Sequence, residues 1–255
     1  MTDSARFSWT VLLPVKVLAR AKSRLAVLAG DRRGELALAL ASDTVAAVLA
    51  CPEVARVVVV TSDPEAGPLL AALGAIVVPD EPADRPASLG NASLENTGLE
   101  NTGVLRGAGV AGVLGDLGVQ DLLNAALRHG AAVAARRWPG TGLAALTADL
   151  PAVSPAELAA ALRAAGAAPG LAAFVPDAAC VGTTLYAVPP GGEFRPLFGG
   201  ASRARHAAAG AIELDSGAFT GLRRDVDTPD DLREALSLGV GPFTRAVAAD
   251  LFTDV

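Results

Sequence analysis

The chain predicts an α/β domain built on a mostly parallel central sheet flanked by helices. Short apolar runs rich in β-branched residues alternate with helix-like segments along most of the length. Several helix starts carry capping signatures shortly after such runs. With 255 residues, the chain is long enough to bury a substantial core in one such domain.

The first strand is expected over residues 9–13, Trp-Thr-Val-Leu-Leu, an uninterrupted apolar run of the kind that sheets buried on both faces use. Asp31 is placed to cap a helix running to about Ala50, and 56–61, Arg-Val-Val-Val-Val-Thr, follows as a central strand. Asp63-Pro64-Glu65 opens the next helix with proline at its first position. Residues 75–78 form a third strand, and 143–147 a fourth that leads to Asp149. Ser154-Pro155-Ala156-Glu157 is a capping box with proline at N1. Apolar runs at 171–176, 184–188 and 211–214 precede a further capped helix start, Thr228-Pro229-Asp230-Asp231.

Residues 81–117 break this rhythm. They contain the tandem repeat Leu94-Glu95-Asn96-Thr97-Gly98 and Leu99-Glu100-Asn101-Thr102-Gly103, followed by a Gly- and Val-rich stretch. Two copies are too few for a solenoid. The segment reads as a surface insertion in a single domain spanning 1–255, either a lid over a binding site or a neutral expansion.

Composition narrows the function. No run approaches the ~18 apolar residues that a membrane span needs, and the first residues lack the layout of a secretory signal. A soluble, cytoplasmic protein is expected, with no membrane partner. A net charge of −6 opposes non-specific nucleic-acid binding, so an anionic ligand has to be captured by local charges. Cys51 and Cys180 have no CxxC partner and read as buried free thiols. His129 and His206 lack metal-ligand spacing and read as surface or helix-packing residues.

Lys16 and Lys22 are the only lysines; every other basic residue is arginine. An ammonium is a compact point charge where a guanidinium is a planar fork. Two lysines kept within a dozen residues, together with Arg20 and Arg24, therefore point to a phosphate ligand at the C-terminal end of the first strand. Open α/β sheets bind ligands at that edge. Asp149 ends the fourth strand in Thr147-Ala148-Asp149-Leu150-Pro151, which aims a carboxylate into the same crevice. A hard cation such as magnesium takes carboxylate oxygens and keeps substrate phosphates as further ligands. A second carboxylate is offered by Asp225 or Asp227, which strand alternation would put on one side. Thr183, behind Gly182, and Ser202, behind Gly199-Gly200, supply a hydroxyl and closely approachable backbone for a small anion. Together these groups describe phosphoryl chemistry on a nucleotide.

The combination resembles the 2-phospho-L-lactate/phosphoenolpyruvate guanylyltransferases, which act early in the biosynthesis of the deazaflavin coenzyme F-420. The resemblance rests on Pro14-Val15-Lys16, Ala21-Lys22-Ser23-Arg24-Leu25, Ala148-Asp149-Leu150-Pro151, Gly182-Thr183-Thr184, Phe198-Gly199 with Ser202-Arg203-Ala204-Arg205-His206, Gly221-Leu222-Arg223-Arg224-Asp225-Val226-Asp227-Thr228-Pro229, and Leu238-Gly239-Val240-Gly241-Pro242. It covers nearly the whole chain outside 81–117.

The resemblance implies the nucleotidyltransferase fold of the nucleotide-diphospho-sugar transferase type, GTP and a three-carbon phospho-acid as substrates, and two Mg2+ ions on Asp149 and Asp225. It further implies that Lys16, Lys22 and Arg24 meet the GTP phosphates, with Lys22 and Arg24 acting in catalysis. Asn124 would lie near the nucleotide, and Thr183, Gly199 and Ser202 would contact the acid. The chain departs from the family pattern at Val181 and at Gly200-Ala201, both near the acid seat.

The Ala- and Arg-rich composition points to a GC-rich, actinobacterial source, which makes phosphoenolpyruvate the first acid and 2-phospho-L-lactate the second. A nucleotidyltransferase for a sugar phosphate or molybdopterin, or an inactive partner subunit, are the rival classes. The first usually carries a glycine-rich loop after the first strand, and the second would lack the metal carboxylates. A homo-oligomer is compatible with each reading.

Overall fold

A computed structural model describes residues 7–16, 23–80, 108–214 and 216–252. Its sheet has seven strands: β1 (Trp9–Pro14), β2 (Val54–Val60), β3 (Ile76–Val78), β4 (Gly142–Leu146), β5 (Ala173–Pro176), β6 (Thr183–Val188) and β7 (Ile212–Glu213). They are ordered β3-β2-β1-β4-β6-β5-β7. β1 pairs in parallel with β2 and β4, β2 with β3, and β5 with β7; β6 alone runs against its neighbours β4 and β5.

The helices are α1 (Ala26–Ala29), α2 (Arg33–Leu49), α3 (Ala66–Ala72), α4 (Ala108–Arg137), α5 (Pro155–Gly166), α6 (Ser202–Ala208), α7 (Thr220–Arg223), α8 (Pro229–Leu238) and α9 (Pro242–Leu251).

The period-2 geometry of a strand explains why the central strands are apolar throughout. Val11, Leu13, Val57, Val59 and Leu146 pack on one face with Val45 of α2 and Leu158 and Leu162 of α5. Leu12, Val58, Val60 and Ala145 pack on the other with Leu127, Ala131 and Ala134 of α4. α4 lies close to the sheet because Gly130 faces it: a Cβ there would come within 2.6 Å of Val60 Cγ2. A third apolar cluster joins Leu25, Leu36 and Leu40 to Val226, Leu232 and Val247.

The predicted capping box at Ser154 forms, and the capped start at Thr228 is a second one. Ser154 and Glu157 cap α5, and Thr228 and Asp231 cap α8. Asp63 Oδ1 accepts from the N–H groups of Glu65 and Ala66, so α3 begins two residues beyond Pro64. Three local expectations are corrected. Asp31 falls inside a 3-10 turn, Gly30–Arg32, and α2 starts without a side-chain cap, with Arg32 paired to Glu35 at 2.7 Å instead. Cys51 is buried, but Cys180 is exposed on a turn at φ 59°. Asp225 and Asp227 do not share a strand; 224–227 is irregular backbone. Of the segment 81–117, residues 81–107, including the tandem repeat, lie outside the described residues, and 108–117 belong to α4.

Candidate active site

Asp149 lies three residues past the end of β4, on a segment held from several sides. Thr147 N–H donates to the Thr184 carbonyl at 3.0 Å, Leu150 N–H to Thr44 Oγ1 at 3.0 Å, and Gly241 N–H to the Pro151 carbonyl at 3.2 Å. Thr44 is fully buried on α2 and donates its own hydroxyl hydrogen to the Leu40 carbonyl at 2.8 Å. These partners fix where the Asp149 backbone leaves the sheet.

Val226 N–H donates to the Asp149 carbonyl at 3.1 Å, which lays the run after α7 directly beside the β4 terminus. Asp225 thereby comes next to Asp149, and both are half-buried, whereas Asp227 is exposed. The approach depends on Gly221. Its N–H donates to Glu157 Oε1 at 2.9 Å, and a Cβ there would come within 2.1 Å of the Ala152 carbonyl oxygen. Glu157 thus caps α5 and anchors α7 at once.

The reversed direction of β6 completes the site. Leu146 pairs with Leu185, and continuing that antiparallel register sets Thr183 opposite Ala148, adjoining Asp149. In front of β6, the turn 177–182 is tied by Asp177, whose carboxylate accepts from Val181 N–H at 2.9 Å and Gly182 N–H at 2.7 Å. Arg223 holds the same turn, donating to the carbonyls of Pro176 and Asp177 at 3.1 and 2.8 Å.

Arg203 N–H donates to the Val181 carbonyl at 3.2 Å, bringing the start of α6, and so Ser202, against this turn. Ser202 and Thr183 are both buried. Three side chains fix the adjoining loop 197–199. Asn124 of α4 accepts from Phe198 N–H at 2.9 Å and donates to its carbonyl at 3.1 Å. Arg205 donates to the carbonyls of Leu197, Phe198 and Gly199, and His206 accepts from Leu197 N–H. Gly199 and Gly200 sit at φ +99° and +42°, a backbone that side chains rarely adopt.

Lys16 is exposed just past β1, where Val15 N–H donates to the Val60 carbonyl at 3.0 Å. Arg24 is exposed beside the fully buried Leu25, which shares an apolar cluster with Val226, next to Asp225. Lys22 lies outside the described residues. Asp149, Asp225, Thr183, Gly199 and Ser202 therefore belong to connected segments. Asn124 enters through the loop 197–199.

Of the two alternatives for His206, surface or helix-packing, the buried one holds, and Asp177, which the sequence reading passed over, organises the turn before Thr183. The four-residue spacing of Ser202 and His206, one helical face, is the signal that places the histidine inward.

Among the described residues no cluster of three or more His, Cys, Asp or Glu side chains is assembled for a metal. Two carboxylates fit a hard cation that keeps substrate oxygens as its other ligands. A separate cleft of about 500 Å3, with Asp43, Ser154, Glu157 and Gly221 in its wall, contains none of the candidate ligand residues.

The fold is shared with known proteins. A protein of Desulfovibrio desulfuricans G20 assigned to the nucleotide-diphospho-sugar transferases superposes with a TM-score of 0.61 at 15% identity, covering 95% of this chain and 94% of that one. A nucleotidyl transferase from Methanothermobacter thermautotroptrophicus superposes with a TM-score of 0.51 at 18% identity, covering 91% and 97%. This is the nucleotidyltransferase fold.

In sequence, the phosphoenolpyruvate guanylyltransferase of Thermomonospora curvata is 52% identical over 249 residues, 97% of this chain and 92% of the relative. That of Streptomyces coelicolor is 53% identical over 244 residues, 95% and 97%. No protein-family model matches the chain. The chain belongs to the phosphoenolpyruvate guanylyltransferase family and is a nucleotidyltransferase enzyme.

Proposed function

We propose that the chain transfers GMP from GTP to phosphoenolpyruvate, giving enolpyruvyl-diphospho-guanosine and pyrophosphate, as a step of coenzyme F-420 biosynthesis. The observation that carries this reading is the identity of about half of all residues to proteins named for that acid, over nearly the full chain. The adjacency of the Thr183 and Ser202 seat to the Asp149–Asp225 pair supports it, because acceptor and nucleotide must meet at one phosphorus.

In the proposed reaction a phosphate oxygen of the acid forms a bond to the α-phosphorus of GTP. The bond to the β-phosphate oxygen breaks, and its electron pair leaves with pyrophosphate. The nucleophile is already ionised, so no general base is needed. Lys16, Lys22 and Arg24 bind the GTP phosphates, and Lys22 and Arg24 offset charge on the departing pyrophosphate. Thr183, Ser202 and the Gly199 backbone orient the acid. Asp149 and Asp225 would hold magnesium, which when bound supplies charge neutralisation to the phosphates. Asn124 supports the acid loop through Phe198.

The test is a matrix of purified protein and magnesium with four nucleoside triphosphates and a panel of phospho-acids, read by pyrophosphate release. GTP with phosphoenolpyruvate is expected to be fastest. A higher rate with 2-phospho-L-lactate would move the acid; a sugar phosphate as the best acceptor would overturn the reading.

A further inference from the structure

We propose that His206 is a positioning residue for the phospho-acid: locked as the Nδ1–H tautomer, it occupies the acceptor side of the Thr183 hydroxyl and makes Thr183 a dedicated hydrogen-bond donor to the anion. The inference rests on the reading above that Thr183 contacts the acid.

The backbone N–H of Leu197, which can only donate, lies 2.9 Å from His206 Nε2, so that nitrogen presents a lone pair. A neutral imidazole with a bare Nε2 carries its hydrogen on Nδ1. Nδ1 is 3.0 Å from Thr183 Oγ1. A protonated Nδ1 cannot accept, so the ring donates and the threonine oxygen accepts. The one hydroxyl hydrogen of Thr183 is then turned away from the ring and is left for another acceptor.

The surroundings keep the ring neutral. His206 is fully buried, stacked on Tyr186 at 4.7 Å and edged by Phe198 at 5.5 Å, with Phe174 at 5.7 Å. Burial first, and the neighbouring Arg205 charge second, push its pKa down to about 4. A second ring hydrogen would also confront the Leu197 N–H. One buried ring therefore ties together the start of β6, the loop before Gly199 and the helix bearing Ser202.

The experiment uses full-length protein. The chain holds only two histidines, so long-range 1H–15N spectra at pH 7 show two ring systems, and His206→Gln identifies the buried one by its loss. His206 is expected to show a protonated Nδ1 and a bare Nε2, the reverse of the tautomer free histidine favours in water. Glutamine keeps an acceptor for Leu197 and removes the donor to Thr183. His206→Gln should raise KM for phosphoenolpyruvate about tenfold with KM for GTP unchanged, since a hydrogen bond to a charged acceptor is at stake. His206→Asn, which offers an amide N–H at the Nδ1 position, should recover most of that loss.

Combining His206→Gln with Thr183→Val should be no worse than Thr183→Val alone. An Nε2–H or doubly protonated ring in the wild type would overturn the proposal by itself. Equal loss of affinity for both substrates in the variants would do the same. No wild-type turnover of phosphoenolpyruvate, with the ring as described, would overturn the substrate reading and this role with it.

Discussion

The Val226 amide donates to the Asp149 carbonyl at 3.1 Å, and this one backbone bond brings two sequence motifs about 77 residues apart to the same sheet edge. Asp149→Asn and Asp225→Asn should each lower turnover by at least about a hundredfold, the scale of removing a dedicated electrostatic group. Thermal unfolding should barely move. Asp227→Asn should be milder, because Asp227 is exposed. Pyrophosphate release by the three variants checks the ranking; near-wild-type rates for Asp149→Asn or Asp225→Asn would remove that carboxylate from the site.

Thr44→Val tests the support beneath Asp149. It leaves the Leu150 N–H without its 3.0 Å acceptor, at an expected cost of about 1–3 kcal/mol in chemical denaturation. Turnover should fall with it, although Thr44 is fully buried. Unchanged turnover in the destabilised variant would show that the Asp149 backbone is held adequately by its other bonds.

Gly182→Ala should damage the acid seat. A Cβ there would come within 2.4 Å of Asp177 Oδ2, forcing open the turn that leads into Thr183. KM for phosphoenolpyruvate should rise severalfold while KM for GTP stays constant. Adding Asp177→Ala removes the clashing carboxylate along with its turn bonds, so steady-state kinetics of the double variant should show partial relief at most.

His206 gives folding stability a pH dependence of known sign. Its pKa falls from 6.5 in the unfolded chain to about 4 in the folded one, so the unfolded state binds more protons between those values. The contribution is complete above about pH 6.5 and is lost as pH falls toward 4. At pH 5 the loss relative to pH 7 should be about 2 kcal/mol. Unfolding free energies from urea titrations of wild type and His206→Gln should converge by that amount between pH 7 and pH 5; parallel curves would show that the ring titrates normally.

Much of this was legible from residue pattern. The continuous Val and Leu runs identified the inner strands because both faces of such a sheet are buried, and proline after Ser154 and Thr228 marked two capped helices. Asp149 was visible as a carboxylate where a strand must stop. The relation of Asp225 to Asp227 was not, because an extended irregular segment and a strand share the same alternation until hydrogen-bond partners are known. The surface and helix-packing alternatives for His206 were inseparable for a related reason. A seven-residue helix with arginines around it looks solvated, and only Phe174, Tyr186 and Phe198, contributed by other segments, reveal the pocket that receives the ring. The use of Asn124 as a clamp on Phe198 depends on a contact across 74 residues that no local pattern encodes.

The opposed direction of β6 has an evolutionary corollary. Since cross-strand pairing sets Thr183 opposite Ala148, its spacing from Asp149 is fixed by the β4–β6 ladder and not by the length of chain between them. The stretch 167–172 between α5 and β5 can change length without altering that register, whereas the start of α5 cannot, because Glu157 holds Gly221 and with it the approach of Asp225. Change in acceptor preference is then channelled into the turn 177–182 and the loop 197–200, where a substitution reshapes the seat without disturbing the sheet that carries it.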